Sequence, residues 1–148
     1  MPTPREPARD LQLDRRKNEG IRILDLRGRL TIGDSEAILR ATIAAMAQAR
    51  DVNIILNLAG VSEIDDDGLG VLVLCYARIV RSGGALKLHN LPPHLSLTIL
   101  TKLDTVFEVF SDEQDAVNSF FPDRVVRRYD ILEWVREQEK RPAPDLPR

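Results

Sequence analysis

The chain opens on alternation between apolar and polar positions. Leu11-Gln-Leu13-Asp-Arg-Arg-Lys17 begins with the pattern, Asn18-Glu19-Gly20 supplies turn chemistry, and Ile21-Arg-Ile23-Leu-Asp-Leu26 resumes an extended apolar run. Two such runs around a glycine-containing turn predict a β-hairpin, with Gly28 interrupting its second strand. Gly33-Asp34-Ser35 then punctuates the chain, and the period lengthens toward that of a helix from about Glu36 to Ala49. The stripe Ile38, Ala41, Thr42, Ala45, Met46 and Ala49 is expected to face a sheet, small alanines allowing close approach and Met46 filling an irregular gap.

Asn53-Ile-Ile-Leu-Asn-Leu58 is a short apolar run of the kind a central strand shows when helices cover at least one face, and Ala59-Gly60 relaxes the packing after it. A second helix is expected beyond Ile64-Asp-Asp-Asp-Gly68, with Leu69, Leu72, Val73, Tyr76, Ile79 and Val80 on one broad face and Ser82-Gly83-Gly84 as its end. Ala85–His89 reads as a strand, Pro93 as the opening of a short helix reaching Leu100 or Thr101, and Val106–Phe110 as a late strand. Ser111 and Gln114 have the spacing of a capping box before a helix from Asp112 to about Ser119. Strands alternating with helices predict a single α/β domain.

Composition narrows the picture. A chain of 148 residues, 43% hydrophobic and 30% charged, suits one soluble domain and argues against both a disordered chain and a membrane protein. With 21 basic against 23 acidic residues the formal charge is −2, so no direct nucleic-acid partner is expected from electrostatics. One cysteine excludes an internal disulfide framework, and with two histidines it leaves few ligands for zinc or an iron–sulfur cluster; no metal and no cofactor are expected. Residues 1–10 read as a flexible lead-in, because three prolines within Met1–Arg9 stand where a signal peptide needs an unbroken apolar segment. The stretches Ile54–Leu58 and Leu69–Ala77 are too short or interrupted for a bilayer span, so no integral membrane segment and a cytoplasmic setting are expected. Residues 121–148 read as a helical extension with a proline-rich end, marked by Val125, Tyr129, Ile131, Leu132, Trp134 and Val135. Its tryptophan covers the main core, belongs to a partner surface, including that of a homodimer formed through the extension, or is locally exposed to solvent.

The most specific stretch is Asn57-Leu-Ala-Gly-Val-Ser-Glu-Ile-Asp-Asp-Asp-Gly-Leu-Gly70 followed by an apolar helix. Together with Leu24-Asp-Leu-Arg-Gly-Arg-Leu30, Ser82-Gly-Gly-Ala-Leu-Lys-Leu88 and Leu103-Asp-Thr-Val-Phe-Glu-Val-Phe110, it resembles the STAS domain family of anti-sigma factor antagonists over residues 11–120. The resemblance implies a mixed, mostly parallel β-sheet with helices packed on it, to which the extension adds a C-terminal helix. It also implies a non-enzymatic module that binds an anti-sigma factor or kinase-like regulatory protein and so indirectly regulates transcription. In phosphorylated members the loop before the helix reads Asp-Ser-Ser-Gly or Asp-Ser-Thr-Gly. Asp65 matches the first aspartate, Asp66 the phosphoacceptor, Asp67 the next hydroxyl residue and Gly68 the glycine, so neither acid can take phosphate as a serine would. The partner surface implied comprises Arg27, Arg29, Gly33, Asp34, Asp65, Asp66, Asp67, Gly68 and Leu69.

The same residues carry plainer readings. Carboxylates at a helix start accept orphan amides and oppose the positive helix end, for about 0.3–1 kcal/mol when exposed. Three adjacent acids need not converge on a cation, and the sequence supplies no remote ligand set. They identify neither a substrate pocket nor a nucleophile. Arg29 is placed to pair with Asp66 or Asp67, with an acidic partner patch, or in an ordinary solvent-facing pair. Cys75 reads as a core residue, and His89 and His94 assemble no catalytic constellation. Arg124, Arg127, Arg128, Lys140 and Arg141 are interleaved with acids and read as a solvated surface. The alternative from another functional class is a STAS-like structural or adaptor subunit of a lipid-transport or other membrane-associated complex.

Overall fold

Hydrogen bonding along the chain builds one five-stranded sheet, ordered β1 (Gln12–Asn18), β2 (Ile21–Leu30), β3 (Asn53–Ile64), β4 (Ala85–His89) and β5 (Val109–Phe110). The computed structural model describes residues 11–126. β1 and β2 form the antiparallel hairpin, pairing Gln12 with Arg27 and Asn18 with Ile21. Glu19 and Gly20 turn it with φ of 52° and 83°, the left-handed pair that matches the twist of two-residue hairpins. The remaining neighbours are parallel, each joined through a helix: α1 (Asp34–Gln48), α2 (Asp66–Arg81) and α3 (Leu97–Val106). α4 (Glu113–Asn118) follows β5.

The two faces of the sheet are buried unequally. Leu24, Leu26, Ile54, Leu56, Leu58, Leu86 and Leu88 join side chains of α1, α2 and α3, among them Leu39, Ile43, Leu72, Cys75, Leu100 and Leu103, in the main core. Ile21, Ile23, Ile55 and Phe110 form a smaller cluster with Ala116 and Val117 of α4. Residues covered from both sides account for the unbroken apolar run Ile54–Leu56. Together these make a mixed, mostly parallel sheet with helices packed on it.

Several local expectations are corrected. α1 buries Leu39, Ile43, Met46 and Ala47, whereas Ile38 is 41% exposed, because the large side chains rather than the alanines seek the sheet. On α2 the buried face takes in Val71 and Cys75, and Val80 is exposed. Gly28 interrupts β2 as expected, by an irregularity rather than an end, while β3 runs on past Gly60 beyond the expected Leu58. β2 continues to Leu30 and β3 to Ile64, the irregularity being absorbed as register shifts between Asp25 and Arg27 and between Gly28 and Arg29, where Gly28 has φ 101°.

The helix expected at Pro93 begins at Leu97, capped by Ser96, whose hydroxyl accepts the Ile99 amide at 3.2 Å. It extends through Val106, so the late strand shortens to Val109–Phe110. The cap of α4 is Asp112, whose carboxylate accepts the Asp115 amide, and Gln114 instead donates to Glu19 and Asn118. A carboxylate is the stronger acceptor of the two adjacent candidates. The expected lead-in over residues 1–10 and the extension beyond Val126, including Trp134, lie outside the described residues.

Candidate functional site

Leu30 and Ile64, the last residues of β2 and β3, are parallel partners; beyond them β3 leads through Asp65 alone into α2, and β2 leads through a loop of residues 31–33 into α1. Two helix N-termini therefore rise side by side at one end of the sheet. Asp65 joins them. Its backbone is extended, with φ −95° and ψ −178°, and its amide donates to the Leu30 carbonyl at 3.3 Å. One carboxylate oxygen accepts the Gly68 amide at 2.7 Å, capping α2, and the other accepts the Ile32 amide of the β2–α1 loop at 3.2 Å.

The same loop is tied from its far side. The buried Ser35 hydroxyl donates to the Thr31 carbonyl at 2.7 Å and accepts the Thr31 amide at 3.2 Å. Gly33 caps α1 with φ 112° and no side-chain hydrogen bond, and Asp34 opens that helix. Held at both ends, the loop projects Ile32 into solvent at 68% exposure.

Gly68 answers a different need. A Cβ there would lie 2.0 Å from the Leu30 carbonyl oxygen, so only glycine lets the first turn of α2 pass over the end of β2. Leu69 is 8% exposed and packs in the main core, anchoring the turn from beneath. Asp66 and Asp67, spared from capping, are exposed in the first turn, where the helix dipole favours negative charge.

The two arginines do not join this group. Gly28 and Leu30 are buried beneath the helices, so by strand alternation Arg27 and Arg29 emerge on the opposite face of β2. Arg27 pairs with Asp14 at 2.9 Å and Arg29 with Glu63 at 2.9 Å, all four side chains exposed. The solvent-facing reading of Arg29 is the one formed, rather than a pair with Asp66 or Asp67.

A second polar group went unforeseen in the sequence. Asp25, Asn57 and His89 are register partners across β2, β3 and β4. Asn57 donates to Asp25 at 2.7 Å and accepts from the Asn90 side chain at 3.3 Å, while Asn90 lies 2.8 Å from His89 Nε2. Arg16 clamps the row by bonding Asp25 at 2.6 Å and Glu113 of α4. Its guanidinium holds both carboxyls below the usual carboxylate range. Burial lowers the His89 imidazole, favouring its neutral form. Parity along each strand was the available signal, but the registry that aligns the strands is not local. Among the described residues no group of three His, Cys, Asp or Glu side chains is arranged to hold a metal ion. Nor, among them, is any helix long and apolar enough to cross a membrane.

Residues 12–116 match the STAS domain family, which covers most of the chain and every candidate residue from Arg27 to Leu69. The chain belongs to the STAS domain family. Its fold is similar to that of the Bacillus anti-sigma factor antagonist SpoIIAA in its unphosphorylated form, with a TM-score of 0.60 at 20% identity over 76% of this chain and 98% of that one. It is also similar to an anti-sigma factor antagonist from Mycobacterium paratuberculosis, with a TM-score of 0.61 at 21% identity over 77% and 96% of the two chains. The murine anion transporter Slc26a9 contains a similar region, with a TM-score of 0.54 at 19% identity over 69% of this chain and 18% of that one. No curated protein sequence matches significantly. In this STAS domain the α2 cap and the β2–α1 loop thus form one continuous surface at the carboxyl ends of β2 and β3.

Proposed function

We propose that this STAS domain is a non-enzymatic, cytoplasmic protein-interaction module of the anti-sigma factor antagonist kind. It binds an anti-sigma factor or kinase-like regulator through the first turn of α2 and the β2–α1 loop, releasing a sigma factor without touching DNA. One observation carries the reading. Asp65 commits both carboxylate oxygens to backbone amides, which leaves Asp66 and Asp67 exposed in the first turn of α2 beside the exposed Ile32. An apolar anchor next to localised charge is the composition of a small protein-binding surface.

Asp66 occupies the place of the phosphoacceptor. Its single negative charge is about half that of a phosphoserine, and its planar carboxylate lacks the third acceptor oxygen. The regulatory switch of phosphorylated relatives is therefore absent from this copy, and Asp66 serves the interface as a permanent charge. Residues 121–148 are not needed for this surface, so self-association through them is compatible with it.

The test is a binding screen against kinase-like anti-sigma factors of the source genome, with wild type, Asp66→Ser and Asp66→Ala side by side. Specific wild-type binding is expected, and Asp66→Ser should become a phosphate acceptor whose phosphorylation weakens the complex. Folded wild-type protein that binds none of the candidates would overturn the reading. The second reading, an adaptor in a lipid-transport or membrane-associated complex, draws on the occurrence of the same fold within a transporter. Co-purification with transport components in place of an anti-sigma factor would favour it.

A further inference from the structure

The outer side of the α1–α2 layer carries a groove of about 510 Å³ that the proposed partner surface does not use. Ala37, Ala41 and Ala44 of α1 face Leu74, Arg78 and Arg81 of α2, spaced on each helix at i, i+4 and i+7. The alanines keep one bank low, and Leu74 is 58% exposed. Arg40 beside them is paired with Glu36 along α1. Among the described residues, neither Arg78 nor Arg81 has an acidic side chain within ion-pair distance. An apolar trough with guanidinium groups on one bank that find no acidic partner among the described residues suits an amphipathic helix with acids along one edge of its apolar face.

The chain itself contains such a sequence. Tyr129-Asp-Ile-Leu-Glu-Trp-Val-Arg-Glu-Gln-Glu139 carries four acids against Arg136. At about 100° per residue, Ile131, Leu132, Trp134 and Val135 share one side, and Asp130, Glu133 and Glu137 line up next to Trp134. Charge and apolar pattern both complement the groove.

Reach decides whose groove it fills. Val126, the last described residue, packs on the Ile21, Ile23, Ile55 and Phe110 cluster, across the sheet from α1 and α2. Residues 127 and 128 alone separate it from Tyr129, allowing about 10 Å of extended chain. Passing the sheet and a helix layer takes roughly 20 Å, since packed layers lie about 10 Å apart and a helix is about 10 Å thick. A segment that starts at Tyr129 therefore begins too far from the groove of its own chain to fill it along its length.

We propose that the α1–α2 groove receives residues 129–139 of a second copy of this chain, in a reciprocal two-fold exchange. Arg78 and Arg81 pair with the acidic edge while the apolar side covers Leu74 and the alanines.

Sedimentation of the full chain tests this, using a groove variant Arg78→Glu/Arg81→Glu and a segment variant Glu133→Arg/Glu137→Arg, each checked for native circular dichroism. Wild type is expected to be dimeric, and each variant should weaken the dimer by at least about tenfold. An equimolar mixture should recover a heterodimer, because each groove then meets a segment of opposite charge. A dimer indifferent to both variants would overturn the proposal, as would wild type that is monomeric throughout the micromolar range. A monomer whose Trp134 fluorescence shifts in the groove variant would place the segment in its own chain. A monomer that sediments with phosphatidylglycerol vesicles in an Arg78-dependent way would make the groove a lipid site, and either result overturns the exchange.

Discussion

The Asp65 carboxylate accepts the Ile32 amide at 3.2 Å while also capping its own helix through Gly68 at 2.7 Å. One side chain therefore sets both the start of α2 and the position of the neighbouring loop. Losing it should do more than fray a helix. Asp65→Ala is expected to cost about 1–2 kcal/mol, the range of a strong cap, whereas Asp66→Ala, with no such bond, should stay within about 0.5 kcal/mol. Urea denaturation of the two variants checks the contrast, and equal losses would contradict the division of labour between the adjacent aspartates.

Two glycines of the same helix should behave oppositely. A methyl group at Gly68 would lie 2.0 Å from the Leu30 carbonyl oxygen, a backbone atom that cannot swing aside, whereas nothing lies within 4 Å of a Cβ at Gly70. Gly68→Ala should destabilise by about 3 kcal/mol or more through forced displacement of α2. Gly70→Ala should stabilise by roughly 0.5–1 kcal/mol through helix propensity and a less flexible unfolded chain. Thermal melts of both variants provide the measurement.

Arg16 links Asp25 of β2 to Glu113 of α4, and its hydrogen bonds depress both carboxyls in the folded state. The unfolded chain then binds more protons in acid, so stability rises with pH across that window. The contribution is complete above the ordinary carboxylate range near about pH 4 and is lost as pH falls through the lower folded values. Arg16→Gln should flatten the acid limb of the stability profile. At neutral pH its cost should be no more than about 1 kcal/mol, because the 40% exposed guanidinium is screened by water. An unchanged acid limb would remove the clamp from the account.

Cys75 is 1% exposed in the main core, and burial pushes its thiol up to about 11. Thiolate is scarce at pH 8 and the sulfur is shielded, so a disulfide reagent should react only as fast as the protein opens. Rapid native-state labelling, at the rate seen in denaturant, would contradict its placement in the core.

Much of this architecture is local in origin and was legible along the chain. The hairpin at Asn18–Ile21, the strand Ala85–His89 and the helix after Ile64 follow from turn chemistry, side-chain parity and helical period, which act over a few residues. The ordered motifs around Asp65–Gly68 carried the family resemblance. Tertiary packing decided the rest. Which face α1 buries depended on the competing demands of Leu39 and Ile43 against the alanines. The pairing of Arg29 with Glu63 and the row Asp25–Asn57–His89 required the parallel register of β2, β3 and β4. Gly68 reads as a helix-start glycine until the Leu30 carbonyl is seen above it. The sequence by itself determined where acids, glycines and apolar runs stand. Only the folded chain, by bringing Ile32 against Asp65, decided which carboxylate is committed to structure and which remain exposed to solvent, because hydrogen bonds between distant residues depend on the positions of whole strands and helices.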